Sequence, residues 1–202
     1  SVTAGLGLTG GGTSGDVTIG LRTTATGAFD FSNPNGFAAM APSNSTGSIP
    51  ISGPGTRLIW YPGKAAFRVG SVSGDQWNDQ NVGRGSMATG ENTTARGEYS
   101  LAMGFASTAS GYASAAVGAL NTASGDYATA LGLASVAGGQ GSLAVGEGTS
   151  ALGAGSVALG YRARAQYDGS FVFADRSSGT AFASSAANQF RVRAAGGVGF
   201  YT

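Results

Sequence analysis

The sequence predicts an all-β fold centred on a parallel β-roll, in which short coils of the chain stack and contribute strands to shared sheets. Glycine accounts for 37 of the 202 residues and only 10% of the residues are charged. No window free of glycine places apolar residues at helical spacing, so helices are not expected. A glycine also recurs every fourteen residues, and a fixed period is typical of repeat architectures.

The fourteen-residue repeat is the strongest pattern in the chain. Its glycines are Gly90, Gly104, Gly118, Gly132, Gly146 and Gly160, each with an alanine two residues before it. A second column of alanines stands at Ala95, Ala109, Ala123, Ala137, Ala151 and Ala165. Because side chains alternate along a strand, these columns predict two short strands per coil, with alanines facing a narrow interior and glycines in the turns.

The residues on either side of the first alanine column point away from the interior and are mostly apolar. A single chain would expose them as a contiguous stripe, and such a stripe marks an interface. Association of three chains around an axis is an economical way to bury it, so we predict a homotrimer. The predicted interface residues are Leu101, Met103, Val117, Leu131, Leu143, Val145, Val157 and Leu159.

Small β-units are predicted on both sides of the repeats. We assign residues 1–21 to a β-hairpin or shaft segment, 22–82 to a small β-domain with an aromatic neck, 83–168 to the roll and 169–202 to a C-terminal β cap. The first segment has two short strands around a glycine-rich turn, and the second carries all five prolines and both tryptophans. The cap repeats the strand pattern with larger side chains, as expected where a stack ends.

The composition excludes several kinds of chemistry. Cysteine and histidine are both absent, which excludes disulfides, thiolate metal sites and Ser-His-Asp or Cys-His catalysis. The formal charge is +1 and the basic residues are scattered singly, so neither nucleic acid nor direct membrane insertion is predicted. We expect no catalytic residue, no metal and no cofactor.

A carbohydrate site is the binding site that the sequence offers. Sugars are commonly held by an aromatic face together with a few carboxylate or amide groups. The residues that supply such groups are Trp60, Tyr61, Asp75, Trp77, Asn78 and Asp79. The oxygen-rich stretch from Asp75 lacks the spacing of an EF-hand loop, so calcium is not expected there.

The repeats resemble a known family. The segment Ser-Leu-Ala-Met-Gly-Phe-Ala-Ser-Thr-Ala-Ser-Gly-Tyr at 100–112 and its five companions are similar to head repeats of trimeric autotransporter adhesins of the YadA type. The resemblance covers about residues 83–168 and implies a left-handed parallel β-roll trimer exposed on a cell or particle surface. Residues 1–21 resemble shaft segments of phage tail fibres and of large bacterial fibre proteins, and residues 175–200 resemble the stretch of tail fibres just before a self-cleaving chaperone that we expect to be truncated or cleaved away. Residues 74–83 resemble an aromatic and Asp-containing segment that precedes such repeats in tail-fibre proteins, which implies that Trp77 is a plug between chains.

These resemblances imply an extracellular fibre on a cell surface or a virion tail. We expect a trimeric adhesin segment, not an enzyme, that attaches to a host or prey cell through envelope glycans or an envelope protein. Three weak sites would act together. A tailspike that cleaves polysaccharide with paired carboxylates and a purely structural spacer are the alternatives. The distal tip would be N-terminal in an autotransporter head and C-terminal in a tail fibre.

Overall fold

The computed structural model describes residues 2–3, 8–12, 19–21 and 48–200. The chain divides into two compact units, Ser1–Met40 and Ala41–Thr202. In the first unit β1 (Val2–Thr3), β2 (Leu8–Gly12) and β3 (Ile19–Leu21) form an antiparallel sheet with β2 in the centre. Glycines that the sequence places in a turn lie within β2. Residues 22–47 of the predicted small β-domain lie outside the described residues.

The second unit is built from seventeen short strands. In chain order they are β4 (Gly55–Tyr61), β5 (Ala66–Val72), β6 (Met87–Glu91), β7 (Thr94–Ala95), β8 (Leu101–Phe105), β9 (Thr108–Ala109), β10 (Ala115–Ala119), β11 (Thr122–Ala123), β12 (Thr129–Leu133), β13 (Val136–Ala137), β14 (Leu143–Glu147), β15 (Ser150–Ala151), β16 (Val157–Tyr161), β17 (Ala163–Ala165), β18 (Phe171–Ala174), β19 (Phe182–Ala183) and β20 (Phe190–Arg193). Single 3₁₀ turns lie at Pro62–Lys64 and Asp79–Asn81. Among the described residues, no helix is long and apolar enough to cross a membrane.

Two sheets run along the stack of coils. The long sheet has the order β20-β18-β16-β14-β12-β10-β8-β6-β5-β4, and the short sheet has the order β19-β17-β15-β13-β11-β9-β7. All pairings are parallel except that of β4 with β5, which form an antiparallel hairpin. This hairpin falls in the predicted small β-domain, but β5 pairs directly with β6 of the first coil. The hairpin therefore extends the long sheet of the roll.

Each coil repeats the register of the one before it. Ala116 lies opposite Ala102 on one side and Ala130 on the other, and the short strands keep the same fourteen-residue offset. Both alanine columns are fully buried and form one core. Only a small side chain fits there, because strands on opposite sides of one coil lie close together. The predicted all-β parallel roll of fourteen-residue repeats is confirmed.

The two glycine columns are required by the distance between coils. A Cβ atom on Gly118, whose φ is +117°, would lie 2.2 Å from the carbonyl oxygen of Gly132. A Cβ atom on Gly111 would lie 2.0 Å from the carbonyl oxygen of Gly125. Any side chain at these positions would collide with the next coil, so the glycine period follows from backbone hydrogen bonding between coils.

Buried hydroxyl groups close the turns that precede the long strands. Ser100 Oγ donates to the carbonyl of Gly97 at 2.7 Å, and Ser114 Oγ donates to the carbonyl of Gly111 at 2.8 Å. Both serines are buried. Such bonds satisfy turn carbonyls that would otherwise lack a partner in the interior, which explains why serine recurs beside the alanines.

Candidate assembly and ligand surfaces

The outward face of the long sheet carries two apolar columns, one on each side of the buried alanines. The first column is Phe67, Met87, Leu101, Ala115, Thr129, Leu143, Val157 and Phe171. The second is Val69, Thr89, Met103, Val117, Leu131, Val145, Leu159 and Phe173. All eight residues predicted for the trimer interface lie in these columns. We call the two columns together the apolar face.

The apolar face has the properties of an interface. At about 4.8 Å between neighbouring strands, it extends on the order of 30 Å from β6 to β18. It carries no charged side chain between Phe67 and Phe173, and depletion of charge is the compositional mark of an interface core. In the single chain its side chains are only partly covered, and the most exposed of them, such as Met103, have about 37% of their surface exposed.

A third column, at the end of the long strands, borders the apolar face and mixes charged and apolar residues. Its members are Glu91, Phe105, Ala119, Leu133, Glu147 and Tyr161. Phe105 is 47% exposed and Leu133 43% exposed. A border of this kind resembles the polar rim that surrounds an apolar interface core.

Trp77 of the predicted aromatic neck is enclosed by its own chain. Its ring is 1% exposed and packs against the alanine core, and its Nε1 donates to the carbonyl of Thr93 at 2.9 Å. Tyr61 is 4% exposed. Neither ring presents a face on which a sugar could stack. Trp77 closes the N-terminal end of its own roll, which differs from the plug between chains that the tail-fibre resemblance implies.

Asp79 links the hairpin of β4 and β5 to the aromatic neck that contains Trp77. Tyr61 Oη donates to Asp79 Oδ1 at 2.7 Å, and Lys64 Nζ donates to Asp79 Oδ2 at 3.2 Å. Burial, followed by the hydrogen bond to Asp79, raises the pKa of Tyr61 to about 12. The hydrogen bond from Tyr61 holds the pKa of Asp79 below its ordinary value. Asn78 Oδ1 accepts from the amide of Gly53 at 2.7 Å, so both polar groups serve the fold of their own chain.

Two of the six predicted binding residues are exposed, and the side chain of a third, Asp79, is 50% exposed although it pairs with Lys64. Trp60 is 39% exposed on β4, the edge strand of the long sheet. Asp75 is exposed, although its carbonyl accepts hydrogen bonds from the Asn78 amide and the Asn81 side chain. In the described part of the chain, no group of three or more His, Cys, Asp or Glu side chains gathers where it could hold a metal ion.

A row of tyrosines that the sequence reasoning missed lies on the turn before the long strands. Tyr99 is 52%, Tyr112 41% and Tyr127 58% exposed. Tyr112 lies between the other two, with ring centroids 5.5 Å from each and ring planes inclined by 82° and 75°. The three residues, which we call the tyrosine edge, span three coils. In rows of fourteen, Tyr99 and Tyr127 share one column and Tyr112 stands in the row between them, one column away.

A groove of about 410 Å³ lies at the C-terminal end of the roll. It is lined by Gly146, Glu147, Gly160, Tyr161, Phe173, Ala174, Asp175 and Arg176. Its carboxylates are already paired, Glu147 with Arg176 and Asp175 with Arg193, and the Arg176 guanidinium lies 4.6 Å from the centroid of the Tyr161 ring. These contacts hold the last coils together, and the groove lies beside the apolar face.

Comparison with known proteins identifies the coils. Residues 82–107, 109–135 and 137–163 match the family described as YadA head domain repeat (2 copies). Each matched segment thus spans two coils of the roll, and the predicted resemblance to YadA-type head repeats is confirmed. The family is adhesive and structural, and its repeats form the heads of trimeric, surface-exposed fibres. No curated protein matches the chain. The tail-fibre resemblance of the flanks stays a prediction.

Proposed function

We propose that the chain forms a segment of a homotrimeric extracellular fibre that attaches to a target cell, host or prey, through envelope glycans. The coils are YadA-type head repeats, and that family indicates a trimeric adhesin-type fibre. The observation that carries the proposal is the apolar face, which continues without a charge through eight registered strands. An apolar surface of that size is rarely left exposed to water and indicates a protein interface.

A second and a third copy of the same chain fit this face. Its columns repeat with the period of the coils, so equivalent faces around one axis match each other over their whole length. Apolar residues of three chains would meet at the axis, while the border with Glu91 and Glu147 stays near solvent. The proposed interface residues are those predicted from the sequence, from Leu101 to Leu159.

Trimerisation also explains how weak sites could hold a cell. Every outward feature of the chain occurs three times in a trimer, so several weak contacts act together and raise the overall affinity about 10²- to 10⁴-fold. Within the predicted glycan set, Trp60, Asp75 and the half-exposed side chain of Asp79 are the groups that a sugar can reach. Glycans are the proposed target because exposed aromatic rings and carboxylates suit them.

Cleavage of polysaccharide is the less favoured function. A glycoside hydrolase needs one carboxyl group kept protonated as general acid. At the C-terminal groove, hydrogen bonds led by that from the Ala195 amide lower the pKa of Asp175 to about 2, and Glu147 pairs with Arg176. Neither group suits that role, although release of reducing ends from envelope polysaccharide would revive the idea.

The oligomeric state is the first test. We expect light scattering to give the mass of three chains for the wild type and of one chain for the variant Leu101→Asp, Leu143→Asp, Leu159→Asp, because three charges per chain would be buried at the axis. The matched control places the same charges on the outward side of the short sheet, as Thr108→Asp, Thr122→Asp, Ser150→Asp, and should remain trimeric. A monomeric wild type, or a control that also dissociates, would refute the proposed interface.

Adhesion is tested with the same proteins. We expect the trimer to bind whole cells and immobilised envelope glycans about 10²-fold or more tightly than the monomeric variant does. If the trimer binds neither cells nor glycans, the chain is a spacer and the adhesive proposal fails. Binding of equal strength by trimer and monomer would contradict the multivalent mechanism.

A further inference from the structure

The tyrosine edge departs from the pattern of the roll in the type of residue that occupies a left-handed turn. Tyr99 and Tyr127 have φ of +57° and +59°, a left-handed conformation that bulky residues rarely adopt. The other residues in their column are Gly85, Ala113, Gly141, Gly155 and Gly169. The fold therefore accepts glycine at this position in most coils, and the two tyrosines are not needed to build the turn.

Tyr112 departs from its column in another way. Its equivalents in the other coils are Arg84, Glu98, Asp126, Gln140, Ala154 and Asp168, most of them polar. An aromatic ring here fills the gap between Tyr99 and Tyr127 and makes edge-to-face contact with both. Three separate departures from the repeat thus meet on one exposed edge.

The turns that carry the tyrosine edge are fixed by hydrogen bonds between coils, and one of the rings packs on the coil beside it. The ring of Tyr99 lies directly over Gly85, where a Cβ atom would be 2.7 Å from Tyr99 Cδ1. The amide of Tyr127 donates to the carbonyl of Tyr112 at 2.7 Å, and the amide of Tyr112 donates to Asp126 Oδ1 at 2.9 Å. A surface ordered in advance loses less entropy when it binds a ligand.

The chemistry of the edge fits a carbohydrate. Exposed side chains of Arg84, Glu98, Asp126 and Gln140 flank the rings. The three phenolic hydroxyls form no hydrogen bond with any residue that the structure describes, so they are available to a ligand. A pyranose ring has an apolar face that stacks on an aromatic ring and a rim of hydroxyls that need donors and acceptors.

The size of the edge distinguishes a sugar from a protein. A stable protein interface covers about 800 Å² on each partner. Three half-exposed tyrosines offer on the order of 300 Å², which suits a few sugar units. Because the rings follow the stack from one coil to the next, an extended oligosaccharide lying along the fibre would contact all three.

We infer that the tyrosine edge is the carbohydrate-contact surface of the fibre. The inference rests on the proposed adhesive function and names the part of the roll that performs it. A trimer would carry three such edges, each displaying Tyr99, Tyr112 and Tyr127 in the same order, so one target surface could engage more than one of them.

The test replaces the tyrosines with residues that other coils carry in the same columns: Tyr99→Gly, Tyr112→Gln and Tyr127→Gly. The matched control is Leu120→Gly, because Leu120 is also exposed, by 52%, and also has a left-handed φ, of +59°. The probe is an array of bacterial and animal envelope oligosaccharides, and light scattering follows the oligomeric state. We expect the tyrosine variant to remain trimeric and to lose about tenfold or more in binding, while the control binds like the wild type.

The outcomes separate this inference from the proposed function. If the wild type binds the array and the tyrosine variant binds equally well, the edge is not the contact surface, although the adhesive function stands. If the tyrosine variant dissociates, the edge belongs to the subunit interface and the inference is wrong. If the wild type binds whole cells but no oligosaccharide, the ligand is a protein and the inference fails. If it binds neither, the proposed function fails with it.

Discussion

The two ends of the roll are closed by the same kinds of residue but to different extents. In the buried alanine column, Arg68 stands before the first alanine and Arg191 stands after Val172. At the N-terminal end Arg68 is fully buried and Trp77 is 1% exposed. At the C-terminal end Arg191 and its aromatic neighbour Phe182 are only half-buried.

The hydrogen bonds of the two ends differ as well. Arg68 donates to the carbonyls of Ser86 and Ala95 at 2.9 and 3.0 Å and to Ser86 Oγ at 2.8 Å. Its burial lowers the pKa of its guanidinium to about 10. At the other end Arg193 bonds the carboxylate of Asp175, which also accepts from the Ala195 amide. At the N-terminal end the arginine donates to neutral carbonyl and hydroxyl groups, whereas at the C-terminal end the hydrogen bonds are made to an ionised carboxylate.

The two ends of this roll are thus closed in different ways, one by buried packing and the other by charged groups at the surface. Open ends of a stack leave strand edges and core atoms exposed, and capping units must cover them. The buried N-terminal closure should therefore contribute more to stability, and the exposed C-terminal closure should respond more to acid.

The aromatic residues give the largest expected difference. We expect Trp77→Ala to lower the free energy of unfolding by about 3–5 kcal/mol, because it removes a fully buried ring and leaves a cavity beside the alanine core. Phe182→Ala should cost about 1–2 kcal/mol, since that ring is only half covered. Urea unfolding at equal chain concentrations measures both, as the stability of an oligomer depends on concentration. Equal losses would show that the two closures are equivalent.

The roll could be predicted from the sequence because its small residues recur with a fixed period. The adjacent coil leaves no space for a larger side chain at Ala116 or Gly118, and the same restriction applies in every coil, so the spacing alone indicates it. The N-terminal closure has no such repetition. The burial of Trp77 depends on a contact with Thr93 sixteen residues on, and the sequence offers no period that would indicate it.

The tyrosine edge lies between these cases. The left-handed turn that carries Tyr99 and Tyr127 recurs at the same position of every coil from Gly85 to Gly169, so the repeat itself places this edge. The tyrosines do not follow from the repeat, because the other coils have glycine or alanine in that column and Tyr112 lies in the neighbouring column. A pattern of shared residues does not indicate positions at which single coils differ.

The arginines give a smaller expected difference. In Arg68→Met the side chain keeps its apolar length, but the carbonyls of Ser86 and Ala95 lose a charged donor and keep only the backbone amides of Phe67 and Gly83. Hydrogen bonds to a charged group contribute about 1.5–3 kcal/mol, partly offset because a buried charge is removed. We expect a net loss of about 2 kcal/mol in urea unfolding. Arg191→Met loses a hydrogen bond to the carbonyl of Ala183 and a contact with the Phe182 ring at a half-buried site, so it should cost only about 1 kcal/mol. An Arg68→Met protein as stable as the wild type would show that the arginine is not needed for closure.

Acid should distinguish the two ends by the smallest effect. The pKa of Asp175 falls from its ordinary value of 3.8 to about 2 in the folded protein, chiefly because the Ala195 amide and Ser177 donate to it. The folded state therefore binds fewer protons in this range, and the stabilisation, complete above about pH 4, is lost as pH falls through about 2.

Hydrogen exchange locates this acid effect. Between pH 4 and pH 2, once intrinsic rates are corrected for, we expect protection to fall at residues 175–195 and to persist around Ser86 and Ala95, because the acceptors of Arg68 do not titrate. Asp175→Asn keeps a side-chain acceptor without a titrating group, so its C-terminal protection should be lower at pH 4 and should not change with pH. Asp79 also has a lowered pKa, but its hydrogen bonds are to Tyr61 and Lys64. Hydrogen exchange reports the protection of that segment separately from that of residues 175–195. Loss of protection first around Ser86 would mean that the N-terminal closure depends on a carboxylate after all.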